Sequence, residues 1–178
     1  MKIKKLPAAL YRYEIQQLAK KEKVETIVEI GVYAGDLSRL LFPIKTLKIL
    51  FMIDPWKEYI NYKNDPIVSQ KDADLLYESV KCWTELSTIK DKVRLMRMTS
   101  VEAAKQIYNN SIDFVHIDGN HEYESVKIDI KTWLPKLKPG KLLTGDDYHA
   151  DCVKSAVDGL LSPVKSIGNK IWYYRKPI

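Results

Sequence analysis

Two short segments gather most of the side chains that could do chemistry: Asp118-Gly119-Asn120-His121 and Asp146-Asp147-Tyr148-His149. Three carboxylates held together repel unless one keeps a proton or a cation bridges them. An all-oxygen set of this kind favours a hard ion, Mg²⁺ first, with Mn²⁺ or Ca²⁺ as substitutes. His121 and His149 nearby widen the choice toward softer metals. The plainer alternative makes Asp146-Asp147 a helix-capping turn and Asp118 a lone acid. His121 suits a general base near neutral pH, or it merely orders its loop. His116 lies inside an apolar run and reads as a core histidine with no chemical role.

Three further loops carry polar residues. Glu29-Ile30-Gly31-Val32-Tyr33-Ala34-Gly35-Asp36 places glycines where a backbone could approach a ligand closely. It is not the G-x-G-x-x-G dinucleotide fingerprint, and Asp36 would repel a pyrophosphate. A tight strand-to-helix turn with an exposed Glu29 would read the same way. Asp54 follows an apolar run and can accept hydrogen bonds from both hydroxyls of a ribose, or it starts an Asp-Pro turn. Thr99 and Ser100 can read an adenine edge through a hydroxyl or the Ser100 backbone. Alternatively, Ser100 caps a helix reaching Tyr108.

These loops need a scaffold. Tyr11, Ile15 and Leu18 at helical spacing predict an opening helix over 8–21, within an N-terminal segment of 1–23. Strands are predicted at 26–30, 47–53, 93–96, 112–117 and 142–145, the last after a Pro139-Gly140 turn. Helices are predicted from the Gly35 turn to Phe42, over 69–86, from Ser100 to Tyr108, along the face of Val126, Ile130, Trp133, Leu134 and Leu137 with an end near Pro135, and through Val153 to Leu160. A hairpin over 164–174 closes the chain. Strands alternating with helices give a doubly wound, mostly parallel α/β sheet, which binds ligands beyond the carboxyl ends of its strands. The five polar loops all fall there.

The chain has 178 residues, enough for one domain with a real core. Its formal charge of +6 comes from scattered lysines, without the length or aromatic interleaving of a nucleic-acid stripe. No apolar run reaches membrane-spanning length, and the basic start, Met1 to Pro7, precedes no signal-type apolar stretch. Cys82 and Cys152 are far apart and lack metal or redox spacing, so free thiols and a cytoplasmic location are expected.

The motifs resemble a known family. Val28-Glu29-Ile30-Gly31-Val32-Tyr33-Ala34-Gly35 resembles the first motif of catechol-type O-methyltransferases. Phe114 to Tyr123 and Gly145-Asp146-Asp147-Tyr148 resemble the small class I methyltransferases grouped with the macrocin O-methyltransferases. The likeness runs over about residues 24–175 in the order the fold requires. It implies a Rossmann-like, seven-stranded sheet with an antiparallel C-terminal hairpin, and S-adenosylmethionine as cofactor. By position, it implies that Glu29, Gly31 and Gly35 hold the methionine part, that Tyr33 lines the pocket and that Asp54 holds the ribose. It further implies that Asp118, Asp146 and Asp147 hold Mg²⁺, with His121 where catechol enzymes carry a catalytic lysine.

The expected reaction is metal-assisted methylation of an oxygen on a small polar acceptor, such as a sugar, nucleotide-sugar or phenol. Asp118 and His121 carry the catalysis. Residues 55–92 are the least regular part and form an expected lid. Tyr59, Tyr62, Trp83 and Tyr148, with His149, are expected to border the acceptor pocket. Self-association is left open. Competing readings are a nucleic-acid methyltransferase, a binding subunit without chemistry and a nicotinamide dehydrogenase. Asp118-Gly119-Asn120-His121 stands where base methylating enzymes often carry an Asn/Asp-Pro-Pro-aromatic motif, which argues against nucleic acid. The retained acids argue against the binding subunit, and the glycine spacing against the dehydrogenase.

Overall fold

The computed structural model describes residues 8–59, 69–86, 88 and 90–178. The strands are β1 (Thr26–Ile30), β2 (Ile49–Ile53), β3 (Val93–Met96), β4 (Ile112–Ile117), β5 (Leu137–Gly145), β6 (Lys165–Ile167) and β7 (Ile171–Arg175). The helices are α1 (Ala8–Lys21), α2 (Asp36–Leu41), α3 (Gln70–Leu86), α4 (Ser100–Ala104), α5 (Tyr123–Trp133) and α6 (Asp151–Leu160). One seven-stranded sheet runs in the order β3-β2-β1-β4-β5-β7-β6. Strands β1 to β5 pair in parallel, and β7 enters antiparallel between β5 and β6.

Every residue of β4 is buried, as a central strand covered on both faces requires. Val28, Ile30, Val115, Ile117 and Leu143 pack with residues of α4, α5 and α6 on one face. Ile27, Leu50, Met52, Phe114 and Leu142 pack with residues of α1, α2 and α3 on the other. Strand order reverses between β1 and β4, so a crevice opens beyond their carboxyl ends.

Four predicted boundaries move. Thr99, not Ser100, caps α4: its hydroxyl accepts from Glu102 N, and the Glu102 side chain accepts from Thr99 N in a reciprocal capping box. The same helix stops at Ala104 rather than Tyr108. Beyond it the bonds tighten to three-residue spacing, Gln106 N to Ala103 O and Ile107 N to Ala104 O. Helix α5 ends at Trp133, and Leu137 already belongs to β5, where it pairs with Ile112. The Pro139-Gly140 pair is therefore an irregularity inside β5, with Gly140 at φ +75° and a register shift, rather than a turn before it.

Candidate active site

Hydrogen bonding between neighbouring segments continues past the strand ends and fixes where each loop begins. Gly31 N donates to Ile53 O, Asp118 N to Ile30 O, Asp54 N to Met96 O and Asp146 N to Ile117 O. Gly31 is the seam between the β1 and β4 loops: at φ +85°, a Cβ there would stand 2.0 Å from the Asp118 carbonyl oxygen. No other residue type fits. Gly35 also lies in the left-handed region, with the Trp83 ring directly behind it.

Glu29 is 1% exposed, not on the surface. Its carboxyl accepts a hydrogen bond from the Ser38 hydroxyl. Burial pushes its pKa up to about 8 against that bond, and the nearby charges of Asp118 and Asp54 push the same way. Asp54 Oδ2 accepts from Val32 N at 3.0 Å and Tyr33 N at 2.9 Å, and Oδ1 from Trp56 N at 2.7 Å. Asp54 thus shapes the first loop, a task its Asp-Pro context did not announce. Tyr33, at φ 51° and 42% exposed, stands at the rim.

Ser100 turns its hydroxyl to Asp129 of α5, a residue the sequence reading passed over. Asp129 is buried, and burial raises its pKa to about 6 despite that bond. Its signal lay in the periodicity: Val126, Asp129, Ile130 and Trp133 share one helical stripe, and an acid on a buried stripe needs a reason.

At the rim, His121 Nε2 lies 3.4 Å from Asp118 Oδ1 and 3.3 Å from Asp147 Oδ2. Hydrogen bonding to Asp118 raises the His121 pKa, against the pull of burial and with help from the charges of Asp118, Asp147 and Asp146. One ligand atom from each of Asp118, His121 and Asp147 lies within 4.8 Å of the others. The expected third acid is elsewhere. Asp146 Oδ2 is 3.1 Å from Lys170 Nζ, and Asp146 Oδ1 accepts from Asp147 N. Lys170, from the β6–β7 turn, also reaches to 3.6 Å from Asp147 Oδ1. Its place in the chain gave no hint of this. His149 approaches Asp147 at 3.6 Å.

A cavity of about 420 Å³ joins these groups. Glu29, Gly31, Tyr33, Asp54, Tyr59, Thr99, Ser100, Asp118, His121 and Asp129 line it, together with Arg12 of α1 and Asp36. Its carboxylates outnumber its cations, so it suits a ligand bearing positive charge. A sulfonium next to an ammonium is such a ligand, and the cavity's size is in the usual range for small-molecule sites. Trp83, Tyr148 and His149 are not among its lining residues. Trp83 packs edge-on against Phe42 at 5.4 Å and under Arg39. The Tyr148 hydroxyl bonds to Asp158. Tyr62 lies outside the described residues. His116 is fully buried against Thr144, as a core histidine should be.

Known proteins share the family profile and the fold. The profile of the family described as "Methyltransferase domain" matches residues 28–148. A protein of Acanthamoeba polyphaga mimivirus is 26% identical over 124 residues, 70% of this chain. Matches to two curated relatives span 6% and 52% of those proteins' own lengths. An O-methyltransferase from Bacillus cereus, solved with S-adenosylhomocysteine, superposes with TM-score 0.68 at 14% identity, covering 96% of this chain and 84% of that one. The O-methyltransferase TomG from Streptomyces achromogenes, solved with S-adenosylmethionine, gives TM-score 0.68 at 14% identity, covering 96% and 82%. A profile that spans both the glycine turn of β1 and the acidic pair after β5 shows the family: the chain belongs to the methyltransferase-domain family.

Proposed function

We propose that this enzyme methylates a hydroxyl oxygen of a small polar acceptor, a sugar, nucleotide-sugar or phenol. The observation that carries this reading is the position of His121. It is held between Asp118 and Asp147 on the rim of the acid-lined cavity, with its pKa raised by Asp118. A hydroxyl oxygen must lose a proton as it gains a methyl, and an imidazole so placed can take it. S-adenosylmethionine supplies an electrophilic methyl on a positively charged sulfur. With S-adenosylmethionine bound, the acceptor oxygen would take the methyl as the C–S bond breaks, and its proton would pass to the neutral His121 imidazole. Glu29 and Asp54 orient the cofactor through its methionine and ribose ends. Tyr33 and Tyr59 border the cavity where an acceptor would enter.

The same rim fits a divalent ion. Asp118, His121 and Asp147 would hold it, and it would acidify and orient the acceptor hydroxyl. A nitrogen ligand in the set shifts preference from Mg²⁺ toward Mn²⁺. Asp146, engaged by Lys170, stays outside that set. Exposed free thiols at Cys82 and Cys152 accord with work in the cytoplasm.

The test is transfer of a labelled methyl from S-adenosylmethionine to a panel of sugars, nucleotide-sugars, phenols and RNA, with EDTA, Mg²⁺ or Mn²⁺. Label should appear in a hydroxyl acceptor, and Asp118→Asn should lower kcat about 100-fold or more. The chelator arm separates the two tasks of His121. Full activity in EDTA makes it the proton acceptor alone; restoration by Mn²⁺ makes it a ligand. Label confined to RNA, in a salt-sensitive manner, overturns the reading.

A further inference from the structure

Charge is divided between the two ends of the sheet. Each connection that enters a parallel strand does so at the amino end, and each that leaves one does so at the carboxyl end. The loops that leave the strands hold the acids of the cavity. The connections that enter them hold lysines: Lys21 and Lys23 before β1, Lys45 before β2 and Lys136 before β5. Strand β7 runs the other way, so Lys176, just past its end, returns to the same face, where its ammonium donates to Leu137 O at 2.7 Å. Lysines scattered along the chain thus meet at one face because of the winding. The acids of these connections are engaged: Glu22 binds Arg175, Glu25 binds Lys48, and Asp113 is buried against Lys138. Among the described residues, none of the five lysines forms an ion pair.

Two large apolar side chains protrude from the same end. Apart from the last residue, Ile178, Leu86 and Tyr108 are the most exposed large apolar side chains among the described residues, at 83% and 87%. Leu86 ends α3, which leads back to the start of β3, and Tyr108 lies between α4 and the start of β4. Cations flank Tyr108: Lys136 Nζ donates to Ile107 O at 2.8 Å and Lys176 Nζ to Asn110 Oδ1 at 2.9 Å. The acids nearest Leu86 in the chain, Glu85 and Asp91, are outnumbered by Lys90, Lys92 and Arg94.

A partner for this face has to be anionic and to offer apolar ground. The phosphates of a nucleic acid satisfy the lysines and leave Leu86 in water. An anionic bilayer satisfies both, because its headgroups attract the ammonium groups and its interfacial layer accepts a tyrosine and a leucine. We propose that the amino-end face docks on an anionic membrane surface, its lysines on the headgroups, Tyr108 and Leu86 in the interfacial layer, and the acid-lined cavity facing away from the lipid. The two ends of the sheet carry opposite signs, so the surface that draws in the lysines repels the mouth of the cavity and fixes this orientation.

Co-sedimentation of the whole chain with vesicles tests it. Vesicles of phosphatidylcholine with phosphatidylglycerol should carry the protein down, those of phosphatidylcholine alone should not, and added salt should release it. The side chains of Lys21, Lys23 and Lys45 form no hydrogen bond among the described residues. The triple variant Lys21→Gln, Lys23→Gln, Lys45→Gln should therefore melt like the wild type while binding anionic vesicles about 100-fold more weakly. Tyr108→Ser should weaken binding about five-fold. No binding to the anionic vesicles overturns the proposal, and so does equal binding to both kinds of vesicle. A triple variant that binds as the wild type does removes this face as the docking surface. RNA that strips the protein from the vesicles at equal phosphate concentration makes nucleic acid the partner and overturns the proposal as well.

Discussion

Asp113 and Glu29 are carboxylates on adjacent strands, both almost fully buried, at opposite ends of the same sheet. Asp113, at the amino end, accepts from Glu25 N at 2.9 Å and Thr26 N at 3.0 Å and pairs with Lys138 at 2.8 Å. Burial alone would raise its pKa, yet Lys138 and the two backbone donors hold it below the ordinary carboxylate value. Glu29, at the carboxyl end, receives one serine hydroxyl and is pushed up to about 8. Burial is shared and partners are not. The amino end closes its charges internally. The carboxyl end leaves Glu29 and Asp129 short of donors, where a cationic, donor-bearing ligand can complete them.

Removing the better-partnered acid should do the most damage. Asp113→Ala strands two backbone N–H groups and leaves Lys138 and Lys141 facing each other, so we expect about 3 kcal/mol of lost stability at neutral pH. Its folded pKa lies below the unfolded one. The stability it contributes is therefore present above the ordinary carboxylate pKa and disappears as pH falls through the folded value. Urea unfolding should show the gap between variant and wild type closing in acid. A constant gap at every pH would break the contrast.

At the other end the sign reverses. The folded pKa of Glu29 lies above the unfolded value, so the cofactor-free protein loses stability as pH rises from about 4.5 to about 8. At about 1.4 kcal/mol per pH unit, the decline between about pH 5.5 and about pH 7 is about 2 kcal/mol. Glu29→Gln should flatten that slope while weakening S-adenosylmethionine binding. In the wild type, a cation arriving beside Glu29 favours its ionised form, so binding at neutral pH should release a proton. Calorimetry in buffers of different ionisation enthalpy reads this directly, and an equal slope in the Glu29→Gln variant would show that another group carries it.

How much of this contrast the sequence disclosed follows from what each feature depends on. Apolar periodicity is local, so α1, β1, β3 and β4 stand where it puts them, and glycine with acid at the end of an apolar run marked the first loop. Partners are not local. Nothing near Glu29 announces Ser38, and nothing near Asp146 announces Lys170, a residue 24 positions away that a hairpin folds back. The expected metal set of Asp118, Asp146 and Asp147 joins two acids that are neighbours in sequence. In the turn after β5 the two neighbouring acids diverge, Asp147 to His121 and Asp146 to the lysine. Asp129 lay between: its stripe position was legible, but its Ser100 partner was not.

Lys170 sharpens the comparison last, with the smallest effect. It stands to Asp146 as Lys138 stands to Asp113, a lysine on a buried acid at each end of the sheet. The surroundings differ. Asp113 has two main-chain donors from another strand's start, whereas the other bond of Asp146 comes from its own neighbour, Asp147 N. The Lys170 ammonium also reaches Asp147, one of the three groups that would hold a divalent ion, and so competes with that ion for the same negative charge. Lys170→Ala should therefore cost about 1 kcal/mol or less in stability, the scale of a partly exposed pair. Mn²⁺ binding, followed by electron paramagnetic resonance, should tighten about five-fold. A loss of stability as large as that of Asp113→Ala would make both ends of the sheet alike. Unchanged Mn²⁺ affinity would place the ion, or the lysine's charge, outside this rim.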